Sequence, residues 1–262
     1  MFSAEKSTLV LALVIAFNVT SLAQEASLSA EPVENDALYF FRQGVKEYDA
    51  GHYTEAIDSF KRAVSLKPDF AEAFNNLGMA WIDLQQYSEA VDTLKMAIRL
   101  DPDLVHAHRN LGVAYYHLNR REEAGGALER AVKLNPNYAV ALSDLGAVYV
   151  GIGRYEEAIK LLNRARVLNP NIIDSHNNLG CAYFALGRYK EAAKAHKRAL
   201  QINSNYAPSL FNLGLTYLRL GEKDTALVQY QKLQALNAEL ASQLYESIYS
   251  DRVVRADRNK LL

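Results

Sequence analysis

From residue 37 to residue 240 the apolar positions recur every three or four residues, in paired blocks, and the whole arrangement returns every 34 residues. Spacings of three and four keep side chains on one face of a helix, so each block predicts an amphipathic helix. Short breaks near the fifteenth and thirty-second places divide each period into two such helices. Six glycines anchor the period: Gly44, Gly78, Gly112, Gly146, Gly180 and Gly214, each 34 residues after the last. A fixed period of this length means one supersecondary unit copied and stacked on its neighbours. Setting the glycines at the eighth place gives units at 37–70, 71–104, 105–138, 139–172, 173–206 and 207–240.

The second unit shows the pattern. Phe74, Leu77, Gly78 and Trp81 share a face of its first helix, and Ala90, Leu94 and Ala97 share a face of its second. Small residues at the eighth and twentieth places predict close contact between paired helices, as for Gly44 with Ala56, Gly112 with Ala124 and Gly180 with Ala192. A helical glycine costs about 1 kcal/mol against alanine, and close packing is the expected compensation. Gly51, Gly153, Gly187 and Gly221 stand at the turn inside a unit, where a left-handed cap suits glycine, and Asn119 can fill the same role. Pro68, Pro102, Pro136 and Pro170 mark the unit boundaries, since proline cannot continue the preceding helix.

The fourth unit carries Leu142, Leu145, Gly146, Tyr149, Gly153, Tyr155, Ala158, Leu162, Ala165 and Pro170. That series resembles the tetratricopeptide repeat, a 34-residue helix-turn-helix unit. The resemblance implies an all-α fold, a right-handed superhelical solenoid (an α-α superhelix) whose first helices line the concave surface. It also implies a protein or peptide partner held in that groove. Departures fall in the outer units, with Gln43 and Glu47 in the first and Lys223, Leu233 and Ala238 in the sixth. Leu240, Leu244 and Ile248 extend an apolar stripe, which predicts a covering helix at 241–250, followed by a basic tail at 251–262. Gly125 and Gly126 interrupt the second helix of the third unit and predict a flexible point there.

The first 36 residues have a different character. Lys6, the apolar run Leu9 to Phe17 and the small-x-small triplet Ser21-Leu22-Ala23 predict a secretory signal over 1–23, cleaved after Ala23. The apolar run is shorter than the roughly 20 residues that span a bilayer. An acidic linker is expected at 24–36. The protein is then exported, periplasmic or secreted. The alternative is an assembly factor in secretion or envelope biogenesis, held at a membrane by the same segment left uncleaved.

A formal net charge of −1 gives no general electrostatic case for nucleic acid. The single cysteine, Cys181, excludes an internal disulfide and reads as a small packing residue. His106 and His117 share a face but lie about 16 Å apart along a helix, too far to hold one ion. His108, His176 and His196 occupy packing places, where hydrogen-bonded histidines are expected. Neither a metal nor another cofactor is expected, and the motifs of hydrolases, phosphate-binding loops and metalloproteases are missing. The expected protein is not an enzyme.

The informative column is the sixth place of each unit: Arg42, Asn76, Asn110, Asp144, Asn178 and Asn212. An asparagine amide donates and accepts at once, so a row of them suits the backbone of an extended peptide. The row resembles the asparagine ladder in the tetratricopeptide superhelix of O-GlcNAc transferases, a resemblance confined to the repeats. The other reading is that asparagine is simply ordinary at this place. Groove-facing neighbours at the second, fifth, ninth, twelfth and thirteenth places are mixed. They include Glu72, Asp83, Arg109, His117, Asp174 and Arg219, with the apolar Met79, Val113, Cys181 and Leu215. Tyr48, Ile82, Tyr116 and Phe184 could receive anchor side chains. The carboxylate clamp of the family uses Lys at the fifth and Asn at the ninth place. Here Phe41 and Val45, Asn75 and Met79, or Arg109 and Val113 stand there, so that clamp is not expected.

Overall fold

The computed structural model describes residues 35–249. The segment 1–23 expected to be a signal, most of the expected linker and the expected basic tail lie outside the described residues. Within them the chain is helical with no strand, and the helices divide into two compact units at Leu104/Val105.

The first unit holds α1 (35–49), α2 (Tyr53–Leu66), α3 (Ala71–Asp83) and α4 (Tyr87–Leu100). The second holds α5 (Val105–His117), α6 (Arg121–Leu134), α7 (Ala139–Gly151), α8 (Tyr155–Leu168) and α9 (Ile173–Ala185). It continues with α10 (Tyr189–Ile202), α11 (Ala207–Arg219), α12 (Lys223–Gln234) and α13 (Ala238–Tyr249). Five first helices therefore start where the 34-residue frame puts them. α1 starts earlier, with residues 35 and 36 already helical and exposed ahead of the fully buried Ala37. α13 also starts earlier than 241, because the Asn237 side chain accepts the Leu240 N–H at 3.0 Å and caps the helix there.

Each unit's core is built by the apolar stripes. Ile57, Phe60, Leu77 and Ala80 centre the first unit, with Phe41, Tyr48 and Trp81 packed around them. Leu210, Leu213, Leu233, Leu244 and Ile248 close the C-terminal end of the second. Within the second unit paired helices pack on each other (α5 on α6, α7 on α8, α9 on α10), each of these pairs packs on the next, and the first helices α7, α9 and α11 also touch in sequence.

The close approach at the eighth-place glycines is real, but its main partner is the twenty-fourth place rather than the alanine at the twentieth. A Cβ added to Gly78 would lie 2.5 Å from Leu94 Cγ, and one on Gly146 2.6 Å from Leu162 Cγ. Phe60, Leu128 and His196 fill the same place against Gly44, Gly112 and Gly180. The long side chain lies over the glycine because nothing else leaves room for it. In the sixth repeat the filler comes from outside the frame: Gly214 faces Leu244 of α13.

Turn chemistry is legible with one exception. Gly51, Gly153, Gly187, Gly221 and Asn119 all take positive φ, and so does Gln85, at φ 59°. Glutamine has no special tolerance for that conformation, so the frame alone could have identified the place. Unit boundaries are fixed by more than proline. The side chains of Asp101, Asn135, Asn169 and Asn203 each accept the N–H two residues on, at 3.0 or 3.1 Å. Asn203 does so with Ser204 where the earlier boundaries have proline, which explains a turn without the proline signal.

Candidate functional site: a cavity on the first helices

In the second unit the first helices α5, α7, α9 and α11 together line a cavity of about 440 Å³. Arg109, Val113, Tyr116 and His117 reach it from α5, and Ser143, Asp144, Ala147 and Val148 from α7. Asp174, Asn177 and Asn178 come from α9, and Pro208, Phe211 and Asn212 from α11, with Tyr206 just before it. These are largely the second, fifth, sixth, ninth, twelfth and thirteenth places. One stripe of each first helix faces the same way because the repeats are in register.

Fifth and sixth places of adjacent repeats are tied together. Arg109 Nε donates to Asp144 Oδ2 at 2.7 Å. Asn212 Nδ2 donates to Asn177 Oδ1 at 3.2 Å and to Cys181 Sγ at 3.3 Å. The Ser209 hydroxyl also donates to Asn177 Oδ1, at 2.9 Å, and the Ser175 hydroxyl to that of Ser143, at 2.8 Å. Sequence reasoning missed this seam of small polar residues; its signal was Ser175 and Ser209 recurring at the third place.

The sixth-place row is therefore chemically mixed. Asn178 is buried in the cavity wall. Asn212 is committed to the seam on its nitrogen side, while its Oδ1 is buried without a hydrogen-bond partner. Asn110 is buried and takes a long contact of 3.5 Å from Arg109. In the first unit Asn76 Oδ1 accepts from Asn75 Nδ2 at 3.1 Å, and Arg42 is exposed. Cys181, expected to face the groove, is fully buried, and burial pushes its thiol up to about 12. Such a thiol is protonated and inert at neutral pH.

Charge in the cavity follows from burial. Desolvation raises the Asp144 carboxyl; Arg109 opposes that shift and the Asp174 charge adds to it. Tyr206 donates its hydroxyl to Asp174 Oδ1 at 2.6 Å, and burial first, then that bond, raises the phenol. His117 is lowered by burial. In the first unit Tyr48, expected to receive an anchor side chain, donates its hydroxyl to Asp83, expected to face the groove, so the two are bonded to each other.

The histidines divide. His176 pairs with the Pro170 carbonyl oxygen at 2.9 Å, and His106 with the Tyr138 hydroxyl at 3.1 Å. His196 departs from the expected hydrogen-bonded packing: it is fully buried and neither ring nitrogen has a partner. Among the described residues no three His, Cys, Asp or Glu side chains form a group that could hold a metal ion. No described helix is long and apolar enough to cross a membrane.

Sequence profiles for these repeats cover the array. One described as "TPR repeat" matches residues 44–81, 80–119 and 180–221; others described as "Tetratricopeptide repeat" match 103–168 and 209–239. The crystal structure of MamA is 30% identical, with 63% of this chain and 96% of that chain covered and a TM-score of 0.55. This chain belongs to the tetratricopeptide-repeat family. No curated protein matches it. The fold class, the α-α superhelical solenoid, is shared with PilF of Pseudomonas aeruginosa (19% identical, 84% and 99% covered, TM-score 0.70). It is shared too with YrrB, described as a TPR protein with an unusual peptide-binding site (21% identical, 71% and 97% covered, TM-score 0.56). At those identities the likeness is one of fold.

Proposed function

We propose that this tetratricopeptide-repeat protein is a non-catalytic scaffold that holds an extended segment of a protein partner against its first helices. The observation that carries this reading is the cavity of about 440 Å³ on α5, α7, α9 and α11, whose wall includes the Asn178 amide among apolar and charged groups. Its size lies in the range of ligand sites. A buried amide meets the backbone N–H and C=O of an extended chain, and Tyr116, Val113 and Phe211 supply apolar walls for side chains. Asn76 and Asn110 continue the sixth-place row in other repeats.

The binding reading is tested with residues 24–262 as bait in an extract of the source organism, followed by mass spectrometry, beside an Asn110→Ala/Asn178→Ala variant. A partner held by the parent and released by the variant, with helicity equal by circular dichroism, is the expected result. Equal capture by both would reject a role for these amides. The site of action proposed is outside the cytoplasm, on the strength of the signal pattern at 1–23. N-terminal sequencing of the mature protein should begin at Gln24; an intact N-terminus in a membrane fraction would favour the anchored assembly factor instead.

A further inference from the structure

Two carboxylates, Asp144 and Asp174, line one cavity against a single guanidinium, Arg109. Arg109 is already bonded to Asp144, at 2.7 Å. Asp174 takes its hydrogen bond from the neutral Tyr206 hydroxyl, which offers no compensating charge. The His117 ring, lowered by burial, adds none at pH 7. The ionised side chains lining the cavity thus amount to one positive against two negative. The like charges also feel each other, since Asp174 adds to the upward push that burial exerts on Asp144. A cavity whose lining carries surplus negative charge calls for a donor that carries positive charge.

We infer that the cavity selects a basic side chain, lysine or arginine, of the bound peptide, with Asp174 as its ion-pair partner and Asp144 as the second negative charge. The inference rests on the peptide-binding reading above and adds the class of side chain that the groove recognises. Phe211, Val113 and Ala147 offer the apolar wall along which the methylene stem lies while the charged head reaches the carboxylates. An acidic side chain in the same place would meet two carboxylates, and repulsion of that kind discriminates as strongly as the attraction.

The test pans the full chain, immobilised, against a displayed library of short random peptides, and measures the selected peptides by fluorescence anisotropy. The expected outcome is a lysine or arginine at one fixed position. Its replacement by glutamine should weaken binding to the parent by about tenfold or more, as loss of a charge-assisted hydrogen bond does. The same replacement should cost far less with the Asp174→Asn variant, and affinity for the basic peptide should fall as salt rises. Asp174 is exposed but accepts the Tyr206 hydroxyl and stands in the first turn of α9, so circular dichroism and a urea melt check that each variant keeps the parent's helices and stability. An Asp174→Lys variant should shift the selected residue at that position to aspartate or glutamate. Peptides selected without a basic position would overturn the inference and leave the groove reading standing. So would a basic position that matters equally to parent and Asp174→Asn. Selection of no peptide at all would overturn both.

Discussion

The most unusual single residue is His196. Four other repeats place Phe60, Leu94, Leu128 or Leu162 over the eighth-place glycine, and here an imidazole sits there with both nitrogens unanswered. An unpaired buried polar group costs about 1–3 kcal/mol. His196→Leu should therefore raise stability at pH 7, by an amount within that range, in urea melts followed by circular dichroism. The same residue sets a pH dependence. Burial lowers its folded value from 6.5 to about 3, so below pH 6.5 the unfolded chain binds a proton that the folded chain does not. Stability is then complete above about pH 6.5 and falls as the pH drops toward 3, by at most about 1.4 kcal/mol per pH unit from this group. His176, also lowered by burial, acts in the same sense. The parent should lose more stability than His196→Leu between pH 6.5 and 4; parallel losses would show that the ring finds a partner in solution. Gly125 and Gly126 are a second residue-scale case. α6 runs through them unbroken, a Cβ on Gly125 would meet Val148 at an ordinary 3.8 Å, and one on Gly126 would meet nothing within 4 Å. Changing both to alanine should add about 1–2 kcal/mol, since helix propensity is gained without a clash. A loss of stability would mean that this helix needs its missing side chains.

At the scale of elements, α13 is part of the sixth repeat's core rather than an appendage. Leu244 is fully buried against Gly214, in the role that the second helix plays in other repeats. α12 presents Tyr230 at that place, and its ring packs instead against Tyr245 of α13, with centroids 5.4 Å apart. Leu244→Ala should cost about 2–5 kcal/mol, the range for a buried leucine, and hydrogen exchange should rise first in α11, α12 and α13. A cost below about 1 kcal/mol would make α13 a loose cover. The sequence revealed that helix through Leu240, Leu244 and Ile248, because an apolar stripe has a period. It misplaced the start because Asn237, the cap, is a single polar residue that carries no period. The same asymmetry runs through the candidate site. The places that line the cavity were legible from the 34-residue frame. What each side chain does there was not, because Arg109 with Asp144 and Asn177 with Asn212 are pairs made across repeats, 35 residues apart in sequence. A row of asparagines looks uniform in the chain and becomes heterogeneous once neighbouring helices take up some of the amides.

At the scale of the molecule, repetition limits how far a local change can reach. In α5 to α13 each helix pair packs on its neighbours, so stability should be approximately a sum of repeat and interface terms. Leu162 gives a clean test, being fully buried over Gly146 in the middle of that run and away from the lining of the cavity. Leu162→Ala removes contacts worth about 2–5 kcal/mol. If the run behaves as a one-dimensional chain of repeats, protection from hydrogen exchange should fall most in α7, α8 and α9. It should fall less in α6 and α10, and least in α12 and α13. Loss of equal size throughout α5 to α13 would instead mean that the polar seam of Ser143, Ser175, Asn177, Ser209 and Asn212 welds the first helices into one cooperative block. The groove would then bind as a preformed surface. In the graded case, peptide binding would itself tie neighbouring repeats together, and added peptide should flatten the gradient of exchange along the array, because a ligand stabilises the states that bind it.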